Sequence, residues 1–155
     1  MHQISPDGIA FLKEKEGFRN DAYYDSANVL TIGYGHSAYA PSIEQYPVYE
    51  GQHITEEEGE EILRADLKPT EAAVNSAVTR EITQKQYDAL VSFTFNLGAG
   101  TFKSSDVLEL TNQGNYQAAG DAFLDYSYAG GEFIPGLRKR REEERAMYLS
   151  SLPQE

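Results

Sequence analysis

The 155-residue chain contains no cysteine and no tryptophan. Without cysteine there is neither a disulfide nor a thiolate metal site. Three histidines are present, His2, His36 and His53, and their spacing fits none of the common zinc motifs. No metal site and no cofactor are expected. Basic residues are scarce, 13 against 25 acids, for a net charge of −12. Phosphate binding needs a basic surface, so nucleic acid is not the expected partner. No apolar run is long enough to span a bilayer, and no stable membrane association is expected. The N-terminal residues Met1-His2-Gln3-Ile4-Ser5-Pro6-Asp7 lack the basic and apolar blocks of a signal peptide. Synthesis and folding in the cytoplasm are expected.

What is present suits a soluble globular chain. The length fits one domain, or one domain of two lobes, with a core that needs no staples. The charges are unevenly placed. Arg138, Lys139, Arg140, Arg141 and Arg145 fall within eight positions, and Glu56, Glu57, Glu58, Glu60 and Glu61 crowd together. For most of these residues the spacing reads as solvated helix faces.

Ser5-Pro6-Asp7 reads as a helix start, with a serine N-cap, proline in the first turn and then an acid. Ile9, Leu12 and Glu16 share one face of that helix by their +3 and +4 steps, and Gly17 is placed to end it. From Ala22 to Tyr39 the β-favouring residues Tyr23, Tyr24, Val29, Leu30, Thr31, Ile32 and Tyr34 alternate with turn formers. This predicts a small antiparallel hairpin or three-stranded sheet, followed by a loop over 40–51. Thr55-Glu56-Glu57-Glu58 is a capping box for a second helix, which Pro69 should kink or split. Thr83-Gln84-Lys85-Gln86 is another, opening an apolar helix to Leu97-Gly98. Ser104 or Ser105 should cap a short helix ending near Gly114, and Asn115 one running to about Tyr126. Pro135-Gly136 should open the last helix, through roughly Leu149. The expected fold class is α+β: an N-terminal lobe with an antiparallel sheet (about 1–60), a connecting helix (about 56–80) and a helical C-terminal lobe (about 81–155). A cleft between lobes is the default place for a ligand.

Three stretches carry chemistry: Glu16-Gly17-Phe18-Arg19, Ala22-Tyr23-Tyr24-Asp25, and Leu30-Thr31-Ile32-Gly33-Tyr34-Gly35-His36. They put one carboxylate at a helix end, a second on a strand or turn, and a hydroxyl six residues after Asp25. Glycoside hydrolysis uses two carboxylates in unlike environments, one protonated to donate and one ionised. Burial at the helix end would favour neutral Glu16, and a more polar strand site ionised Asp25. Spacing alone is weak evidence in so acidic a chain.

These stretches resemble the phage-type lysozymes of the bacteriophage endolysin family. Their pattern of Glu, eight residues, Asp, five residues, Thr is met by Glu16, Asp25 and Thr31 with the flanking Glu-Gly and Thr-Ile-Gly-Tyr-Gly-His text. The likeness continues through Gln86–Phe93, Phe95–Gly100, Tyr128–Gly131, Pro135-Gly136-Leu137 and Arg140-Arg141. It implies a lysozyme-like fold and hydrolysis of the β-1,4 bond between N-acetylmuramic acid and N-acetylglucosamine in bacterial peptidoglycan. Glu16 would be the general acid, Asp25 the base or cation stabiliser, and Thr31 a holder of the water. The family is regarded as inverting. His36 would pair with an acid on the connecting helix, for which Asp66 is the candidate. Gly35 would serve backbone geometry or close substrate approach. Tyr24 and Tyr126 would be supporting or sugar-contacting aromatics. Arg140 and Arg141 would be solvated, or one would orient Glu16. Where relatives often carry tryptophan near Tyr126, this chain has none. A monomer is expected, acting on the periplasmic wall after release through a holin or by lysis. The acidic balance departs from the basic charge common among endolysins and should slow approach to an anionic wall. Two other readings stay open. One is a catalytically silent glycan-binding or structural module on the same fold. The other is a lytic transglycosylase, which needs the acid but not Asp25.

Overall fold

The computed structural model of the chain describes residues 2–152. Among the described residues, seven α-helices and five short strands follow in the order α1 (Pro6–Glu16), β1 (Arg19–Tyr24), β2 (Leu30–Gly33), β3 (His36–Ser37), α2 (Glu56–Ala77), α3 (Gln84–Leu97), α4 (Ala99–Lys103), α5 (Asp106–Asn112), α6 (Tyr116–Ala122), β4 (Tyr128–Ala129), β5 (Glu132–Phe133) and α7 (Pro135–Leu149). A 3-10 turn at Phe123–Asp125 separates α6 from β4. The described residues form two compact units. One is Ala10–Pro69; the other joins the segment up to Ile9 to everything from Thr70 onward. The divisions fall inside α1 and α2.

In the Ala10–Pro69 unit, β1, β2 and β3 make a three-stranded antiparallel sheet in chain order. Tyr23 faces Thr31 and Thr31 faces Ser37. β1 bulges between Arg19 and Tyr23, and the freed backbone pairs elsewhere: the Ile54 amide donates to the Asn20 carbonyl (2.9 Å) and the Ala22 amide to the Gln52 carbonyl (3.0 Å). This ties the 40–53 segment to the sheet. Beneath it Ile32, Ile54 and Ile62 form an apolar core with Phe18, Ala22, Tyr46 and Val48 packed around it. The Thr55/Glu58 capping box opens α2 as expected. The helix is not split at Pro69; it runs unbroken to Ala77. Proline removes one backbone bond there, while Leu63, Leu67 and Val74 on either side are fully buried and hold the turns in place.

The other unit is helical. Thr83 and Gln86 cap α3 reciprocally, and Gly98 ends it. α3 is the core helix: Tyr87, Ala89, Leu90, Val91 and Phe93 are all sealed from solvent, as expected for a helix apolar on most sides. It packs on α7, and α5 packs on α6. Ser105, rather than Ser104, caps α5. Asn115 stands at the start of α6 without a side-chain cap bond, and the helix ends at Ala122 rather than near Tyr126, tightening into the 3-10 turn. α4 and the β4–β5 hairpin have no periodicity long enough to announce them. The N-terminal segment belongs to this unit because its polar groups are held there. The Ile4 amide donates to Glu71 (2.6 Å), the Ser5 amide to Asp88 (3.0 Å), and His2 and Asn75 exchange hydrogen bonds.

Candidate active site

α1 delivers Glu16. Ser5 caps the helix by accepting the Gly8 amide (3.0 Å), and Ile9 and Leu12 bury its apolar stripe. Glu16 is the last helical residue and half-buried, whereas Glu14 is exposed. Gly17 then turns the chain at φ 70°, a left-handed conformation that suits glycine, and its amide closes on the Lys13 carbonyl (3.0 Å). A second glycine completes the setting. Gly35 has φ 72° in the β2–β3 turn, and a Cβ there would stand 3.3 Å from Glu16 Oε1. The turn backbone thus closes against the Glu16 carboxylate because no side chain intervenes.

The hairpin joining β1 to β2 delivers Asp25 and Thr31. Asp25 Oδ1 accepts the amides of Ala27 and Val29, both at 2.9 Å. The Asp25 amide donates to the Val29 carbonyl (3.0 Å), and Thr31 Oγ1 donates to the same carbonyl (2.9 Å). The Val29 peptide therefore anchors both candidate residues. Asp25 Oδ2 accepts no hydrogen bond among the described residues. Thr31 is buried and has spent its proton, so its oxygen can offer only lone pairs. Tyr24, exposed, donates its hydroxyl to Glu50.

His36 and Asp66 form a buried pair. His36 Nδ1 lies 2.7 Å from Asp66 Oδ2 and its Nε2 2.7 Å from the Tyr46 carbonyl. Both partners are acceptors, so only the doubly protonated ring satisfies both. Burial alone would lower the His36 pKa, but the Asp66 hydrogen bond, the Tyr46 carbonyl and the Asp66 charge outweigh it and hold it above the ordinary value. Asp66 Oδ1 accepts the Ser42 amide (3.1 Å) and hydroxyl (2.5 Å), fastening the 40–53 loop. Beside α1, Lys13 bridges Glu56 and Glu60, and Tyr34 donates to Glu56 (2.7 Å). Burial, then the Glu56 bond, push the Tyr34 hydroxyl up to about 12.

The remaining expected residues lie in the helical unit. The solvated reading of Arg140 and Arg141 does not hold: both are buried. Between them sits Glu144, at 0% exposure, which sequence reasoning missed. Arg140 Nε donates to Glu144 Oε2 (3.1 Å) and its Nη2 to Ser92; Arg141 donates to Glu144 Oε1, to Asn96 and to the Tyr126 carbonyl (2.9 Å). Ser92 donates to Glu144 (2.5 Å). The signal for Glu144 was its i+4 and i+3 spacing from the two arginines, hidden by the adjacent acids Glu142 and Glu143. Tyr126 is half-buried, edge-on to Phe93 at 5.1 Å.

Comparisons with known proteins identify the family. The family model described as phage lysozyme matches residues 13–144. The chain is 45% identical over 151 residues to the endolysin of Salmonella phage P22, an alignment covering 97% of this chain and 100% of that one. A crystal structure of a P22 lysozyme mutant is similar at TM-score 0.86 and 44% identity, covering 96% of this chain and 99% of that one. The muramidase domain of SpmX from Asticaccaulis excentricus is similar at TM-score 0.84 and 35% identity, with the same coverage. The chain belongs to the phage lysozyme family. It is a lysozyme of the endolysin type, a glycoside hydrolase that acts on bacterial peptidoglycan.

Proposed function

We propose that Glu16, Asp25 and Thr31 are the residues with which the protein hydrolyses the β-1,4 bond between N-acetylmuramic acid and N-acetylglucosamine. Glu16 gives its proton to the leaving glycosidic oxygen as the C–O bond breaks. Asp25 takes a proton from the water whose oxygen bonds to the anomeric carbon. Thr31 accepts a hydrogen bond from that water's other O–H, which stays with the product. The observation that carries this reading is the Val29 anchor: it clamps Asp25 through one oxygen, leaves the other open, and turns the Thr31 oxygen into a pure acceptor. A water held between an open carboxylate oxygen and a lone pair has its own lone pair directed outward.

The route is inverting, which calls for carboxyl groups roughly 6.5–9.5 Å apart to admit the water. The protein works as a monomer, made in the host cytoplasm and reaching the wall after a holin or lysis opens the way. Mass spectrometry of digested peptidoglycan tests the chemistry. Reducing muramic ends support hydrolysis, anhydro ends a transglycosylase, and undigested wall a silent binding module. The Glu16→Gln variant should lose about 10²–10⁴-fold or more in turnover with an unchanged melting curve. Retention of most activity would remove Glu16 from its role. Proton NMR of the first product anomer reports the stereochemistry.

A further inference from the structure

The Ala10–Pro69 unit holds a pocket of about 160 Å³ that none of the three proposed catalytic residues lines. Its apolar surface comes from Ile54 and Ile62, both members of the core beneath the sheet. Tyr46 and Tyr49 supply aromatic surface, and Tyr49 remains 59% exposed. Gln52 holds this turn, accepting the Tyr49 amide (3.1 Å) and donating to the Pro47 carbonyl (3.2 Å). Glu58 and Glu61, from the first turns of α2, add two carboxylates, and no lining residue is basic. Each carboxylate is half engaged. Glu58 Oε1 accepts the Thr55 amide and hydroxyl, and Glu61 Oε2 accepts the Tyr46 hydroxyl (3.0 Å). Their other oxygens accept no hydrogen bond among the described residues.

An apolar floor takes methylene groups. Aromatic faces and carboxylate oxygens together take a compact cation. We infer that this pocket binds the alkylammonium side chain of a diamino-acid residue in a peptide, supplied by the peptide part of the bacterial wall. Only that source rests on the reading of the protein as a wall hydrolase; the recognition rests on the pocket. The pocket would give a chain of net charge −12 a cationic point of attachment on an otherwise anionic surface.

Titration of the full ¹⁵N-labelled chain with Nα-acetyl-lysine N-methylamide tests the inference. The amides of Tyr46, Tyr49 and Ile54 should shift and saturate, and the uncharged norleucine counterpart should leave them unmoved. A Glu58→Gln/Glu61→Gln double variant should bind about tenfold more weakly, because it loses the charge-assisted bonds. Glutamine keeps both the capping box and an acceptor for Tyr46, and an unchanged melting temperature verifies this. On intact wall the variant should raise KM and keep kcat; on a peptide-free glycan oligomer it should match the parent. Absence of saturation, an equal response to norleucine, or unchanged affinity in the double variant would overturn the inference. A parent protein that fails on the peptide-free oligomer would overturn the hydrolase roles instead, leaving the titration to decide the pocket.

Discussion

Glu16, Asp25 and Thr31 could be picked out as residues because their spacing is local, but the reasons they could work are contacts. Removing the Thr31 hydroxyl tests one of them. Thr31→Val should lower turnover by about tenfold or more, the worth of one hydrogen bond to the water, while Thr31→Ser retains most of it; initial rates of wall clearing report both. The His36–Asp66 pair makes a pH prediction. The folded-state pKa of His36 is raised above its ordinary 6.5. Its contribution to stability is therefore complete below about 6.5 and is lost as pH rises through the raised value. Unfolding free energy measured by denaturant across that range should fall with rising pH in the parent and lose this component in His36→Asn. Glu144→Gln leaves two buried guanidinium groups without their shared countercharge. It should cost about 3–5 kcal/mol, read by thermal or denaturant unfolding. The identity of Glu144 as a buried partner was not legible, because burial of one acid among Glu142, Glu143 and Glu144 is decided by which face α7 turns to α3.

At the scale of elements, most helix starts were legible because caps are local chemistry: serine before proline at α1, and threonine three residues before an acceptor at α2 and α3. Short pieces were not. α4 has five residues and β4 and β5 two each, too few for a period to show. At Pro69 the helix continues rather than splitting. Pro69→Ala should restore a backbone hydrogen bond in an unbroken helix and raise stability by about 1 kcal/mol, checked by denaturant unfolding. The β2–β3 turn behaves oppositely. Gly35→Ala must adopt φ 72° and bring a methyl group to 3.3 Å from Glu16 Oε1. It should cost about 1 kcal/mol of stability and a larger share of activity, since the methyl group meets the proposed acid directly.

At the scale of the molecule, charge is the governing feature. A net charge of −12 repels an anionic wall over a distance set by ionic strength. Clearing of intact wall should therefore speed up as salt is raised from low ionic strength, while hydrolysis of an uncharged glycan oligomer changes little. The sequence by itself determined the α+β class, the capped helices, the family and the spacing of Glu16, Asp25 and Thr31, because periodicity, caps and motif text act over a few residues. Only tertiary structure decided that Arg140 and Arg141 are buried around Glu144, that Gly35 closes on Glu16, that one Val29 peptide anchors both Asp25 and Thr31, and that Tyr46, Tyr49, Glu58 and Glu61 line one pocket. Those are meetings of side chains and backbone set by strand register and helix packing, and apart from the Val29 hairpin and the i+3 and i+4 pairs within α7 they join segments distant in the chain. A one-dimensional pattern carries no distances.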